Sequence, residues 1–115
     1  MVEPYLARWR DFILEVAASH PGIGPLAESL KWGEPSFAPQ APRIGSSVRL
    51  APREGGQVAF LFICHTGLVE EFRTIYPALT YEGNRAVVID ASLPPPEALA
   101  HCITMALTYF RRQHG

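Results

Sequence analysis

The chain has 115 residues, 48% of them apolar and 18% charged. That suffices for one ordinary hydrophobic core and argues against disorder, which needs low hydrophobicity and high net charge. Ten basic and eleven acidic side chains leave a formal net charge of −1, so there is no overall electrostatic pull toward nucleic acid or anionic lipid.

A single domain over residues 1–115 is therefore expected, with no nucleic-acid partner. No apolar run approaches the ~20 residues of a membrane span, so no membrane partner is expected either. The opening MVEPYLARWRDF lacks the positive-then-apolar layout of a signal peptide, and a soluble cytoplasmic protein is expected. The two cysteines, Cys64 and Cys102, lie in apolar stretches without CxxC spacing. They read as free, reduced, buried thiols.

Along the chain, Pro4 suits the first turn of a helix. Leu6, Trp9, Ile13 and Val16 then recur at intervals of three and four, with Phe12 and Ala17 widening the stripe. Arg8, Arg10, Asp11 and Glu15 take the other side. This helix ends near Ser19. Gly24-Pro25 followed by LAESLKW suggests a second, shorter helix, with Leu26 and Leu30 one turn apart and Gly33 as its C-terminal stop.

From Pro35 to Pro52 the prolines, Gly45 and two serines exclude a helix. A strand is expected at 46–51, and Glu54-Gly55-Gly56-Gln57 turns it into a hairpin. The run VAFLFIC, residues 58–64, is apolar on both alternations and reads as a central strand covered on both faces. LVEEFRTIY then forms a short helix with Leu68, Phe72 and Ile75 inward. Two strands flank Glu82-Gly83-Asn84. After Pro94-Pro95-Pro96 comes a long C-terminal helix with Leu99, Ile103, Ala106, Leu107 and Phe110 on its buried side, ending in Arg111-Arg112.

Few residues suggest chemistry. Cys64-His65 and His101-Cys102 have the composition of metal ligands, but neighbours on a strand point to opposite faces and neighbours on a helix lie about 100° apart. Only one of each pair would face a shared site. Asp11 and Glu15, one turn apart, fit a weak cation site or a solvated helix face equally. No nucleophile elbow surrounds Ser36, Ser46 or Ser47, and Gly22-x-Gly24 lacks the preceding strand of a phosphate loop. His65 is the best placed base, at the end of the central strand. Arg49 and Arg85, if they share the open sheet face, could hold a carboxylate or phosphate.

Lys31-Trp32-Gly33-x-Pro35-Ser36-Phe37, then FLFICHTGLVEEFRTIYP, then YEGNRAVVID and a closing helix, resemble the YdhG-like family, small bacterial domains known as domain of unknown function 1801. The resemblance spans essentially the whole chain. It implies an α+β domain in which a small curved antiparallel sheet of about five strands carries N-terminal and C-terminal helices on one face. Some members are described as frataxin-like iron chaperones, so the resemblance admits iron; no cofactor is predicted from the residues themselves, and no metal ligand is assigned.

These readings favour a non-enzymatic binding domain with an apolar and aromatic groove at the KWGEPSF corner. Trp32, Pro35, Phe37, Phe60, Phe62 and His65 would line it, with Arg49 or Arg85 as polar anchor, for a small molecule or a protein partner. The alternatives are an intracellular iron chaperone and a homodimer joined through its open sheet face. An enzyme ranks last, because no nucleophile and base can be paired.

Overall fold

The computed structural model describes residues 4–114, with side chains from 6 to 111. The first three residues read for a leader, and the side chain of Arg112, lie outside the described residues. Helix α1, Pro4–Ala18, buries Leu6, Trp9, Ile13, Val16 and Ala17 and leaves Arg8 and Asp11 in solvent. This is the 3.6-residue stripe of the sequence. Arg8 donates to the carbonyls of Ala91 (2.6 Å) and Leu93 (2.8 Å), which ties the helix to the far end of the sheet.

The expected second helix does not exist. Its residues form strand β1, Leu26–Lys31, paired along its whole length with β2, Glu34–Pro39. Leu26 and Leu30 fit a two-residue period as well as a helical one, since Leu26, Glu28 and Leu30 share one face of a strand. A helix of seven residues has little stability of its own, and cross-strand pairing decides the outcome. Trp32 and Gly33, at φ 52° and 78°, form the two-residue turn between these strands. Positive φ at both central positions is the type I′ geometry that matches strand twist. Gly33 is left-handed as expected, but it closes a hairpin and ends no helix.

Strand β3, Val48–Arg53, meets β2 only through Ser36–Arg49 and Phe37–Val48. In β2 the amides directed at β3 belong to alternate residues 35, 37 and 39, and two of these are prolines without an N–H. The short ladder follows. Residues 54–56 make a 3-10 turn into β4, Gln57–Phe62, whose Val58 to Phe62 are all buried, a central strand covered on both faces.

Helix α2, Leu68–Ile75, turns Leu68, Val69 and Phe72 inward; Ile75 is exposed, against expectation, and Val69 takes its place. The short β5, Thr80–Glu82, and β6, Ala86–Asp90, complete the sheet. Among the described residues the sheet has six strands, not about five, in the order β1-β2-β3-β4-β6-β5, every pairing antiparallel.

The C-terminal helix is broken. Helix α3, Glu97–Leu107, and helix α4, Tyr109–His114, meet at Thr108. The carbonyl of Ile44 accepts the amides of Phe110 (3.1 Å) and Arg111 (3.2 Å), and Ser46 N–H donates to Ala106 O at 2.8 Å. The 44–46 segment thus takes over backbone partners that a continuous helix would keep. Gly45 permits the approach, because a Cβ there would sit 1.9 Å from Leu107 O. Past the break, Phe110 is exposed.

The helices cover one sheet face, where Phe37, Val48, Leu50, Val58, Phe60, Phe62, Val87 and Ile89 join Trp9, Ile13, Leu99 and Ile103 in the main core. Trp9 meets Phe60 edge-on at 5.9 Å, and Phe62 meets Phe72 at 5.0 Å. The other face carries a second, small cluster, Ala51, Ala59, Leu61, Ala86 and Val88. The α+β class and the one-sided placement of the helices agree with the expectation. No helix among the described residues is long and apolar enough to cross a membrane.

Candidate functional site

The face opposite the helices is built by alternation. Residues Lys31, Glu34 and Arg49 on the first three strands point to it, and so do Arg53, Glu82 and the small cluster. Ala51, Ala59, Leu61, Ala86 and Val88 stay buried, at most 9% exposed, without any covering helix. Two ion pairs flank them. Arg49 Nη1 donates to Glu34 Oε1 at 2.9 Å, and Arg53 grips Glu82 through two bonds of 2.8 and 2.9 Å. The Arg53 hydrogen bonds hold the Glu82 carboxyl below its ordinary range.

At one corner of this face the surface opens into a groove of about 430 Å³ lined by Lys31, Trp32, Ser47, Arg49, Phe62, Ile63, Cys64 and His65. Three elements converge there: the β1–β2 turn, the start of β3, and the 3-10 turn Cys64–Thr66 that follows β4. Trp32 is 87% exposed, more than any other large apolar side chain described. The Arg49 guanidinium lies 5.0 Å from its ring centroid, so one polar group is shared between the indole and Glu34.

Four of the residues singled out from sequence therefore meet in one place: Trp32, Arg49, Phe62 and His65 line the groove, Phe62 with its ring turned into the core against Phe72. The other four do not. Pro35 and Phe37 lie on the helix-facing side of the same hairpin, where with Ala7, Arg10, Glu28, Ser29 and Leu30 they border a separate groove of about 370 Å³. Phe60 is fully buried against Trp9. Arg85 is exposed in the β5–β6 connection and lines none of these grooves; its carbonyl accepts the Phe62 amide at 2.7 Å.

Lys31, Ser47, Ile63 and Cys64 were missed. Ser47 stands two residues before Arg49 and shares its face, a signal available from alternation. Lys31 was hidden by the helix reading.

The two thiols also part company. Cys102 is fully buried, and burial pushes its thiol up to about 12. Cys64 is exposed at the groove, contrary to the expected pair of buried cysteines. Cys64-His65 and His101-Cys102 do not converge, and among the described residues no three His, Cys, Asp or Glu side chains gather as metal ligands. His101 Nδ1 instead lies 2.6 Å from the Tyr76 hydroxyl. Asp11 is ion-paired with Arg10 at 3.5 Å.

No family model matches the sequence, and comparison with curated proteins found no match. A comparison with solved structures does: a crystal structure of YdhG, a protein of the DUF1801 family from Bacillus subtilis, matches with TM-score 0.57 over 90% of this chain and 78% of that one. The chain has the YdhG fold. Sequence identity is 15%, so the likeness concerns architecture. The YdhG-like fold places the KWGEPSF motif on the first hairpin and leaves the groove to be read from this chain's own side chains.

Proposed function

We propose that this domain is a binding protein whose groove at the β1–β2 turn takes a small molecule with a flat apolar portion. One observation carries the reading. Trp32 combines 87% exposure with a left-handed backbone, φ 52°. Left-handed geometry favours Gly, Asn or Asp, and an exposed indole contributes little to the fold. Strained positions that the surroundings enforce cluster at functional sites. The rest of the groove has the make-up of ligand pockets: an apolar wall at Ile63, and a few placed polar groups in Lys31, Ser47, Arg49 and His65.

The alternatives draw less support. The cluster on the open sheet face is already at most 9% exposed within the single chain, so that face does not call for a second copy. Iron rests on the resemblance alone. The test is a thermal-shift screen with a library of aromatic fragments. Hits should raise the melting temperature of the wild-type protein, and Trp32→Ala, folded by circular dichroism, should lose the shift. A hit set indifferent to Trp32→Ala would refute the site.

A further inference from the structure

We infer that the ligand is a planar organic monoanion, an aryl carboxylate, with its ring on the open face of Trp32 and its carboxylate on Lys31. This rests on the binding reading of the same groove and adds the chemical class. Among the described residues the groove lining contains Lys31 and Arg49 and no carboxylate. Glu34, the nearest acid on this face, is engaged by Arg49 at 2.9 Å. Arg49 is thereby committed twice, to Glu34 and to the underside of the indole.

Lys31 sits opposite Glu34 in the hairpin register, yet no ion pair to it forms among the described residues. The balance of the corner is two cations against one carboxylate, which leaves one uncompensated positive charge. A monoanion matches that charge; a cation would meet repulsion with no free carboxylate to offset it, and a dianion would be half neutralised. Ser47 and His65 add hydrogen-bonding groups beside Lys31.

The shape agrees with the charge. Trp32 has Arg49 on one side and solvent on the rest of its surface, so a flat ring can stack on the indole without displacing the guanidinium. Ile63 supplies an apolar wall beside it.

The experiment uses the intact protein with 1-naphthoate and its neutral isostere 1-naphthamide, measured by calorimetric titration. Naphthoate should bind up to about fivefold tighter, the scale of one exposed ion pair, and the preference should shrink in high salt. Lys31→Gln should remove the preference for naphthoate over naphthamide. Trp32→Ala should weaken both. Equal binding of the two probes overturns the anion assignment and leaves the groove standing. A naphthoate preference that survives Lys31→Gln overturns the role of Lys31. No binding of either probe at millimolar concentration overturns both this class and the groove reading for flat aromatics.

Discussion

Replacing Trp32 by Asn separates what the fold requires from what the surface offers. Trp32 occupies the first central position of a type I′ turn at φ 52°, followed by Gly33 at 78°. A left-handed conformation costs an ordinary L-residue ~1–2 kcal/mol, and Asn bears it better. Asn-Gly is also the preferred pair for this turn. Recovering about 1 kcal/mol is therefore reasonable. Against it stands the loss of the Arg49 guanidinium stacked at 5.0 Å, worth ~0.5–1 kcal/mol at an exposed site.

With Trp32 87% exposed, little burial is forfeited. The net change is expected between zero and about 0.5 kcal/mol of stabilisation. Urea unfolding followed by far-ultraviolet circular dichroism reads it, with the slope unchanged between variants. A destabilisation above ~1 kcal/mol would show that the indole is structural, and the reasoning that assigns it to binding would fail.

Other consequences follow from the same geometry. Ellman's reagent should label one thiol in the native protein, Cys64, and reach Cys102 only on unfolding, because Cys102 is buried with its thiol pushed up to about 12; two fast equivalents would contradict the packing of α3. Gly45→Ala should destabilise by at least ~2 kcal/mol in urea, since its Cβ would meet Leu107 O at 1.9 Å; a neutral result would mean that the 44–46 segment does not press on α3. Trp9→Ala should cost ~3–5 kcal/mol as the Trp9–Phe60 contact is lost, measured the same way.

Acid should weaken the fold through Glu82, whose carboxyl is held below its ordinary 4.5 first by the Arg53 hydrogen bonds. A lowered folded value contributes stability that is complete above 4.5 and is lost as the pH falls through the lowered value. Glu82→Gln should flatten that part of the acid titration and cost under ~1 kcal/mol at neutral pH, because the pair is partly exposed; an unchanged acid slope would count against the pairing.

Much of the architecture could be read in the residues. The stripe of Leu6, Trp9, Ile13 and Val16 spans about three turns, long enough for its period to be unambiguous. VAFLFIC announced a buried strand because both alternations are apolar. LAESLKW failed for the opposite reason: over seven residues, Leu26 and Leu30 satisfy both periods, and only pairing with β2 chooses between them. The break at Thr108 was not legible either. It depends on Ile44 O and Gly45, more than sixty residues away in sequence, and nothing inside the helix sequence marks it.

The candidate site was half legible. Trp32 and His65 stood out by residue type and position, and Arg49 through alternation on its strand; Phe62 borders the groove only as the end of β4, its ring being in the core against Phe72. Pro35 and Phe37 were misplaced because the motif was read as one corner. A hairpin sends neighbouring residues to opposite faces, so KWGEPSF divides between two grooves. Phe60 went to the core for the same reason: it points toward Trp9, and the groove lies on the other side. Cys64 escaped because a residue just past a buried strand was taken as part of it.

The most direct test of the account is the indole region of a nitrogen–proton correlation spectrum. The protein has two tryptophans, one exposed at the groove and one fully buried against Phe60, so their signals report from opposite sides of the sheet. Titration with 1-naphthoate should move the Trp32 indole N–H in a saturable way and leave that of Trp9 in place. A Trp32 signal that stays fixed at millimolar ligand, or a shift confined to Trp9, would contradict the account.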